Sequence, residues 1–160
     1  MRIGEIAIIG PDNDIKKRFI EAVCQKVDVS NDQLTFGRMP IDEQITLHLY
    51  GISVQQSNSK VSWDLLARKM LGYVVLFSWE NPQSFELVKA TLDELTTRYD
   101  ATLVVAANVQ NGGFAAHPTL LDEGIAITTD AKLIFCDVSN SESVRQVLLT
   151  LVNLLIDKTP

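Results

Sequence analysis

Glu5-Ile6-Ala7-Ile8-Ile9, followed by Gly10-Pro11-Asp12-Asn13-Asp14-Ile15-Lys16-Lys17-Arg18-Phe19, decides how the chain is read. The first run is short, apolar and rich in β-branched residues, so residues 3–9 are expected to form a buried strand. Gly10-Pro11 ends it. From residue 14 the apolar positions change period: Phe19, Ile20, Val23 and Val27 fall at spacings of one, three and four, which places them on one helical face. A helix over 14–27 is expected, with Asp14 as its N-cap. A buried strand leading directly into an amphipathic helix is half of a βαβ unit.

The same alternation continues along the chain. Residues 33–39 and 44–50 have strand character and are joined by Pro40-Ile41-Asp42-Glu43, which makes them a hairpin. Thr46, His48 and Tyr50 alternate with Ile45, Leu47 and Leu49, so one face of the second strand is the more polar. The polar residues 55–60 read as a loop and 61–71 as a helix. Residues 72–77, G-Y-V-V-L-F, form a strand buried on both faces. The clearest helix is 83–99, with Phe85, Val88, Leu92, Leu95 and Tyr99 on one stripe and Pro82 just before it. Residues 101–108 give another buried strand, Gly112-Gly113 a loop, 118–126 a short helix and 132–137 a last strand. A closing helix, 141–157, turns Val144, Val147, Leu148, Leu151 and Leu155 inward. The order β-α-β-β-α-β-α-β-α-β-α implies an α/β fold of three layers: a six-stranded, mostly parallel sheet with one antiparallel edge strand, and five helices on its two faces. In such sheets chemistry is sought beyond the C-terminal strand ends.

The totals set limits. A chain of 160 residues, 46% apolar and 21% charged, is expected to be one domain with a real core. Its net charge of −6 and lack of a basic stripe argue against nucleic acid as a partner. Cys24 and Cys136 sit in apolar segments, far apart, as expected of reduced, buried thiols. The first apolar run is too short for a signal peptide, and no stretch is long enough for a membrane span. A cytoplasmic protein is expected.

The turn at Gly10 invites comparison with the phosphate-cradling motif G-x-x-x-x-G-K-[ST]. Gly10 and Lys16 match, Ile15 stands where the second glycine belongs, and Lys17 replaces the hydroxyl that holds Mg²⁺. A bulky β-branched residue is ill suited to a position that must wrap closely around phosphate. Asp12 and Asp14 add like charge. At an effective dielectric of ~20, one carboxylate about 4 Å from a phosphate charge costs roughly 4 kcal/mol, enough to offset much of what Lys16 would contribute.

Other constellations are weaker. His48 and His117 lack metal-ligand spacing with the cysteines, and no serine sits in a nucleophile elbow. Asp93-Glu94 and Asp122-Glu123 read as solvated helix faces, and Trp63 and Trp79 as anchors at core edges. A phosphate-accepting receiver domain would need an aspartate where Tyr50-Gly51 stands and a lysine where Asn108 stands.

The order of elements resembles that of the Ras-like small GTPases of the P-loop NTPase fold. Phe36-Gly37-Arg38-Met39-Pro40-Ile41-Asp42-Glu43 is similar to an F-G-R-x-x-I-D-E/D run in a bacterial group of Ras-like GTPases related to those of gliding motility and polarity. So are Leu47-His48-Leu49-Tyr50-Gly51, Leu71-Gly72-Tyr73-Val74-Val75-Leu76 and Val104-Val105-Ala106-Ala107-Asn108. The resemblance spans nearly the whole chain, and its functional motifs are degraded. The second switch, D-x-x-G-Q, appears as Gly51-Ile52-Ser53-Val54-Gln55, without its acid and its glycine. The first switch is short, with Ser30 and Asn31 as its only candidates for the Mg²⁺-binding threonine. The base-recognition motif N-K-x-D appears as Asn108-Val109-Gln110-Asn111, and an amide in place of the aspartate mismatches guanine's paired donors. Asn108 then reads either as a remnant of that site or as a side chain tying neighbouring loops. Cys136-Asp137-Val138-Ser139 matches the last motif loosely.

The resemblance therefore implies a pseudo-GTPase: a protein-interaction or regulatory module with little or no GTP binding or hydrolysis. Gly10, Lys16, Lys17 and Asn108 would be the vestige of its nucleotide site, with no catalytic residue and no metal ligand. No cofactor is expected, with GTP or GDP at low affinity as the exception. The contact surface is expected around Gly51, Gln55, Gln56 and Trp63, for a protein partner such as a roadblock-type or GTPase-regulating protein or another Ras-like GTPase. The competing expectation is an unusual GTPase in which Lys17 substitutes for Mg²⁺; a third is a loop that holds a simple anion without turnover.

Overall fold

The computed structural model describes residues 2–24, 26–30, 34–53, 69–97, 101–109, 125–128 and 131–158. Strand β1 (Arg2–Gly10) leads into helix α1 (Asn13–Val23); β2 (Lys26–Ser30), β3 (Leu34–Pro40) and β4 (Ile45–Ser53) follow. Then come β5 (Gly72–Ser78), α2 (Pro82–Thr97), β6 (Leu103–Asn108), β7 (Ile125–Thr128), β8 (Ala131–Cys136) and α3 (Ser141–Lys158). All eight strands join one sheet in the order β2-β3-β4-β1-β5-β6-β8-β7. The five strands from β4 to β8 in that order run parallel, and β3 pairs antiparallel with β4. These are the six strands expected from the pattern. Two more extend the edges, β2 antiparallel to β3 and β7 antiparallel to β8.

The central strands are apolar over most of their length because both faces are covered. In β1, Ile6 and Ile8 pack with Phe19 and Ile20 of α1 and Val147, Leu148 and Leu151 of α3. The alternate residues Ala7 and Ile9 join Val88 and Leu95 of α2 on the opposite face. β5 and β6 divide in the same way, Val74 and Leu76 to one side, Val75 and Phe77 to the other. Gly37 of β3 is what lets α1 lie close: a Cβ there would come within 2.5 Å of Ile20 Cγ2 and 2.6 Å of Cys24 Sγ.

Four expectations are corrected. α1 ends at Val23, and Cys24 is extended (φ −101°, ψ 142°), so Val27 lies in β2, across from Gly37. The period of Lys26-Val27-Asp28-Val29-Ser30 is two, and pairing with β3 outweighs a helical spacing shared by chance. The N-cap is Asp12, not Asp14. Residues 125 and 126, expected in a helix, belong to β7; 118–124 lie outside the described residues. In the expected helix over 61–71, Lys69 is helical but Met70 and Leu71 are not, and 61–68 lie outside the described residues. Three long helices are present among the described residues. None is long and apolar enough to cross a membrane.

Candidate functional site

The C-terminal ends of β1, β5, β6 and β8 lie side by side, and α1, α2 and α3 start there. Between β1 and α1 stand only Pro11 and Asp12. Asp12 has extended geometry (φ −101°, ψ 110°), and its Oδ1 accepts from the backbone N–H of Asp14 at 2.9 Å and of Ile15 at 3.2 Å. These are amides that an anion at this helix start would need. Gly10 has a packing role of its own, because a Cβ there would collide with the carbonyl oxygen of Leu76 on β5.

Lys16 is only 2% exposed. Its Nζ donates to the Gly10 carbonyl at 2.7 Å, folding the side chain back over the turn. Burial lowers its pKa from 10.5 to about 8, with the Asp12 carboxylate opposing the shift. Lys17 is exposed on the outer face of α1, and Ile15 is buried in the core beneath α1 and α3. The residues that spoil the motif are thus those the helix places for packing and solvation.

Neighbouring turns repeat the arrangement. Asn81 caps α2 through Gln83 N–H (3.1 Å), and the Ser84 hydroxyl accepts from Ser78 N–H at 3.0 Å. Asn140 caps α3 through Glu142 and Ser143 N–H (3.0 and 3.2 Å), and the Ser143 hydroxyl accepts from Asp137 N–H at 2.9 Å. At all three turns a side chain reaches back six residues along the chain: Lys16 donates to Gly10 and Ser84 accepts from Ser78, each the last residue of its strand, and Ser143 accepts from Asp137, the residue after β8. Asp137 also accepts from the backbone and hydroxyl of Ser139 (2.9 and 2.6 Å). Asn108, 1% exposed, ends β6; its Oδ1 accepts from Val138 N–H at 3.0 Å and its carbonyl from Trp79 N–H at 2.9 Å. It joins the turns after β5 and β8, as one of its two sequence readings has it.

The remaining expected residues are dispersed. Gly51 is buried in β4, opposite Thr35. Val109 is buried, and Ser30 ends edge strand β2. Gln55, Gln56, Trp63, Asn31, Val54, Gln110, Asn111 and His117 lie outside the described residues. His48 stacks edge-on against Phe36, and Trp79, half exposed, against Phe135. Burial pushes both thiols, Cys24 and Cys136, up to about 12, so neither is a nucleophile near neutrality. No group of three or more metal-ligating side chains occurs among the described residues. Sequence reasoning missed Ser84 and Ser143; the recurring Asn-x-x-Ser of Asn81 and Asn140 was their signal.

Comparison of the chain with protein families and with curated proteins found no match. The arrangement caps helices and braces three turns, and the Lys16 ammonium is engaged in it through the Gly10 carbonyl.

Proposed function

We propose that the protein is a pseudo-GTPase: a Ras-like domain of the P-loop NTPase fold that acts through its surface, as an interaction or regulatory module, and neither binds GTP tightly nor hydrolyses it. The observation that carries this reading is the two-residue link between β1 and α1, whose phosphate-facing groups are already in use. Asp12 holds the amides of Asp14 and Ile15, and Lys16 holds the Gly10 carbonyl. An anion would have to displace a carboxylate from those amides and then sit beside it. The order β3-β4-β1-β5-β6-β8 also matches the hairpin-second arrangement that the sequence resemblance implies. A partner is expected to be protein, of the roadblock or GTPase-regulating kind or another Ras-like GTPase.

One observation favours a second reading, a weak nucleotide or anion site. A buried ammonium whose pKa is lowered to about 8 is held at a cost in stability that a phosphate would offset. Calorimetric titration with GTP, GDP and ATP, with and without Mg²⁺, separates the two. No heat at millimolar nucleotide supports the pseudo-GTPase; micromolar, guanine-selective binding overturns it.

A further inference from the structure

The opposite end of the sheet differs in character. Among the described residues seven large apolar side chains are exposed, and six of them line one groove there: Ile3, Ile41, Ile45, Leu71, Leu149 and Ile156. The seventh, Trp79, follows β5 at the other end. Ile3, Leu71 and Ile156 are 52%, 56% and 62% exposed. The groove holds about 460 Å³ between the start of β1, the β3–β4 turn and the C-terminal half of α3, with Gly4, Ile6 and Leu47 also in its lining.

The sequence of α3 explains why the groove exists. Val144, Val147, Leu148, Leu151 and Leu154 are buried against the sheet. Leu149, Val152 and Ile156 recur at spacings of three and four and form a second apolar stripe, which faces the groove. A helix apolar on two sides needs two partners, and the sheet supplies one.

We propose that this groove is the interface of a homodimer in which the outer stripe of α3 packs against its two-fold mate. At 38–62% exposure the six residues leave on the order of 600 Å² of mostly apolar surface open to water in and around the groove, at the top of the range for the largest patch on a monomer. Two such patches brought together bury at most about 1,200 Å² from these side chains, and with rim contacts they reach the lower end of specific protein interfaces. A single helical stripe is self-complementary under two-fold symmetry, since each residue meets its counterpart's neighbourhood. The rim carries both signs, Arg2 on one side and exposed Asp42 and Glu43 on the turn beside Ile41. A copy of the same chain therefore meets no single-sign repulsion there, despite the net charge of −6.

This inference does not rest on the reading of the nucleotide end, and the titrations above leave it untouched. Sedimentation velocity of the full chain from low to high micromolar concentration tests it. A dimer is expected, and Ile156→Glu and Leu71→Glu should each weaken it at least about 100-fold, as removal of a central apolar anchor does. Trp79→Ser, outside the groove, should leave it intact. The two substitutions lie far apart in sequence, one just before β5 and one in α3, and circular dichroism identifies which variants are folded, so either one suffices. A wild-type chain that stays monomeric overturns the proposal, including one whose groove instead takes up a detergent or a foreign helix. So does a dimer that survives in a folded glutamate variant.

Discussion

Replacing Lys16 with methionine tests whether the buried ammonium is a structural burden. With the pKa lowered from 10.5 to about 8, the folded state holds the proton less tightly than the unfolded chain. At 1.36 kcal/mol per unit this costs about 3 kcal/mol at pH 7, and Lys16 is too buried for solvent to screen much of it. Methionine has similar length and no charge. It forfeits the hydrogen bond from a charged donor to Gly10, worth roughly 2 kcal/mol, so Lys16→Met should stabilise the protein by roughly 1 kcal/mol at pH 7. The sign of the pH dependence follows. For a lysine with a depressed folded pKa, the unfolded state binds more protons between the two values, so wild-type stability rises from pH 8 towards 10.5. The variant lacks this rise, and its advantage should vanish at about pH 9. Urea unfolding of both proteins at pH 7, 8, 9 and 10 reads the difference directly. A Lys16→Met protein less stable than wild type at pH 7, or a gap independent of pH, refutes the reasoning.

Three further outcomes are expected. Asp12→Ala should cost about 1 kcal/mol in urea unfolding, the usual loss of an N-cap, without creating measurable GTP binding in calorimetry. Asn108→Ala leaves the buried Val138 N–H without its 3.0 Å acceptor and should cost about 1–3 kcal/mol, again with no change in nucleotide titration. Cys24 and Cys136, with thiols pushed up to about 12, should react with Ellman's reagent at pH 8 far more slowly in the native protein than in denaturant.

Which parts were legible depends on how local their causes are. β5 and β6 are buried on both faces, so their apolar runs carry the signal without context, and the repeating stripes of α2 and α3 do the same for long helices. β2 and β7 are short edge strands whose existence depends on β3 and β8, and a five- or four-residue pattern does not choose its period alone. Asp12, Asn13 and Asp14 are all good caps, and the preference for Asp12 is settled by where β1 must end to pair with Ser53. The site was legible as a set of losses, since Ile15 and Lys17 break a motif at fixed spacing. Its positive content was not: the back-bond from Lys16 depends on a distance, and the groove is assembled from chain positions 3, 41, 45, 71, 149 and 156.

The two ends of the sheet now carry opposite physical arguments. At the C-terminal end, where open α/β sheets usually bind ligands, each helix start is capped by a side chain of its own turn: Asp12, Asn81 and Asn140. A phosphate arriving at α1 would give up one cap, about 1 kcal/mol, and then face the repulsion of the displaced carboxylate. Lys16 pulls the other way, and it already has the Gly10 carbonyl. At the N-terminal end the balance is reversed, because apolar side chains in water give up no hydrogen bond on being covered. At ~25 cal/mol per Å², covering roughly 600 Å² on each of two chains is worth about 30 kcal/mol before the large costs of association and ordering. A selective pressure for binding that acts on this fold therefore meets least resistance at α3 and the start of β1, not at the turn that once suggested phosphate.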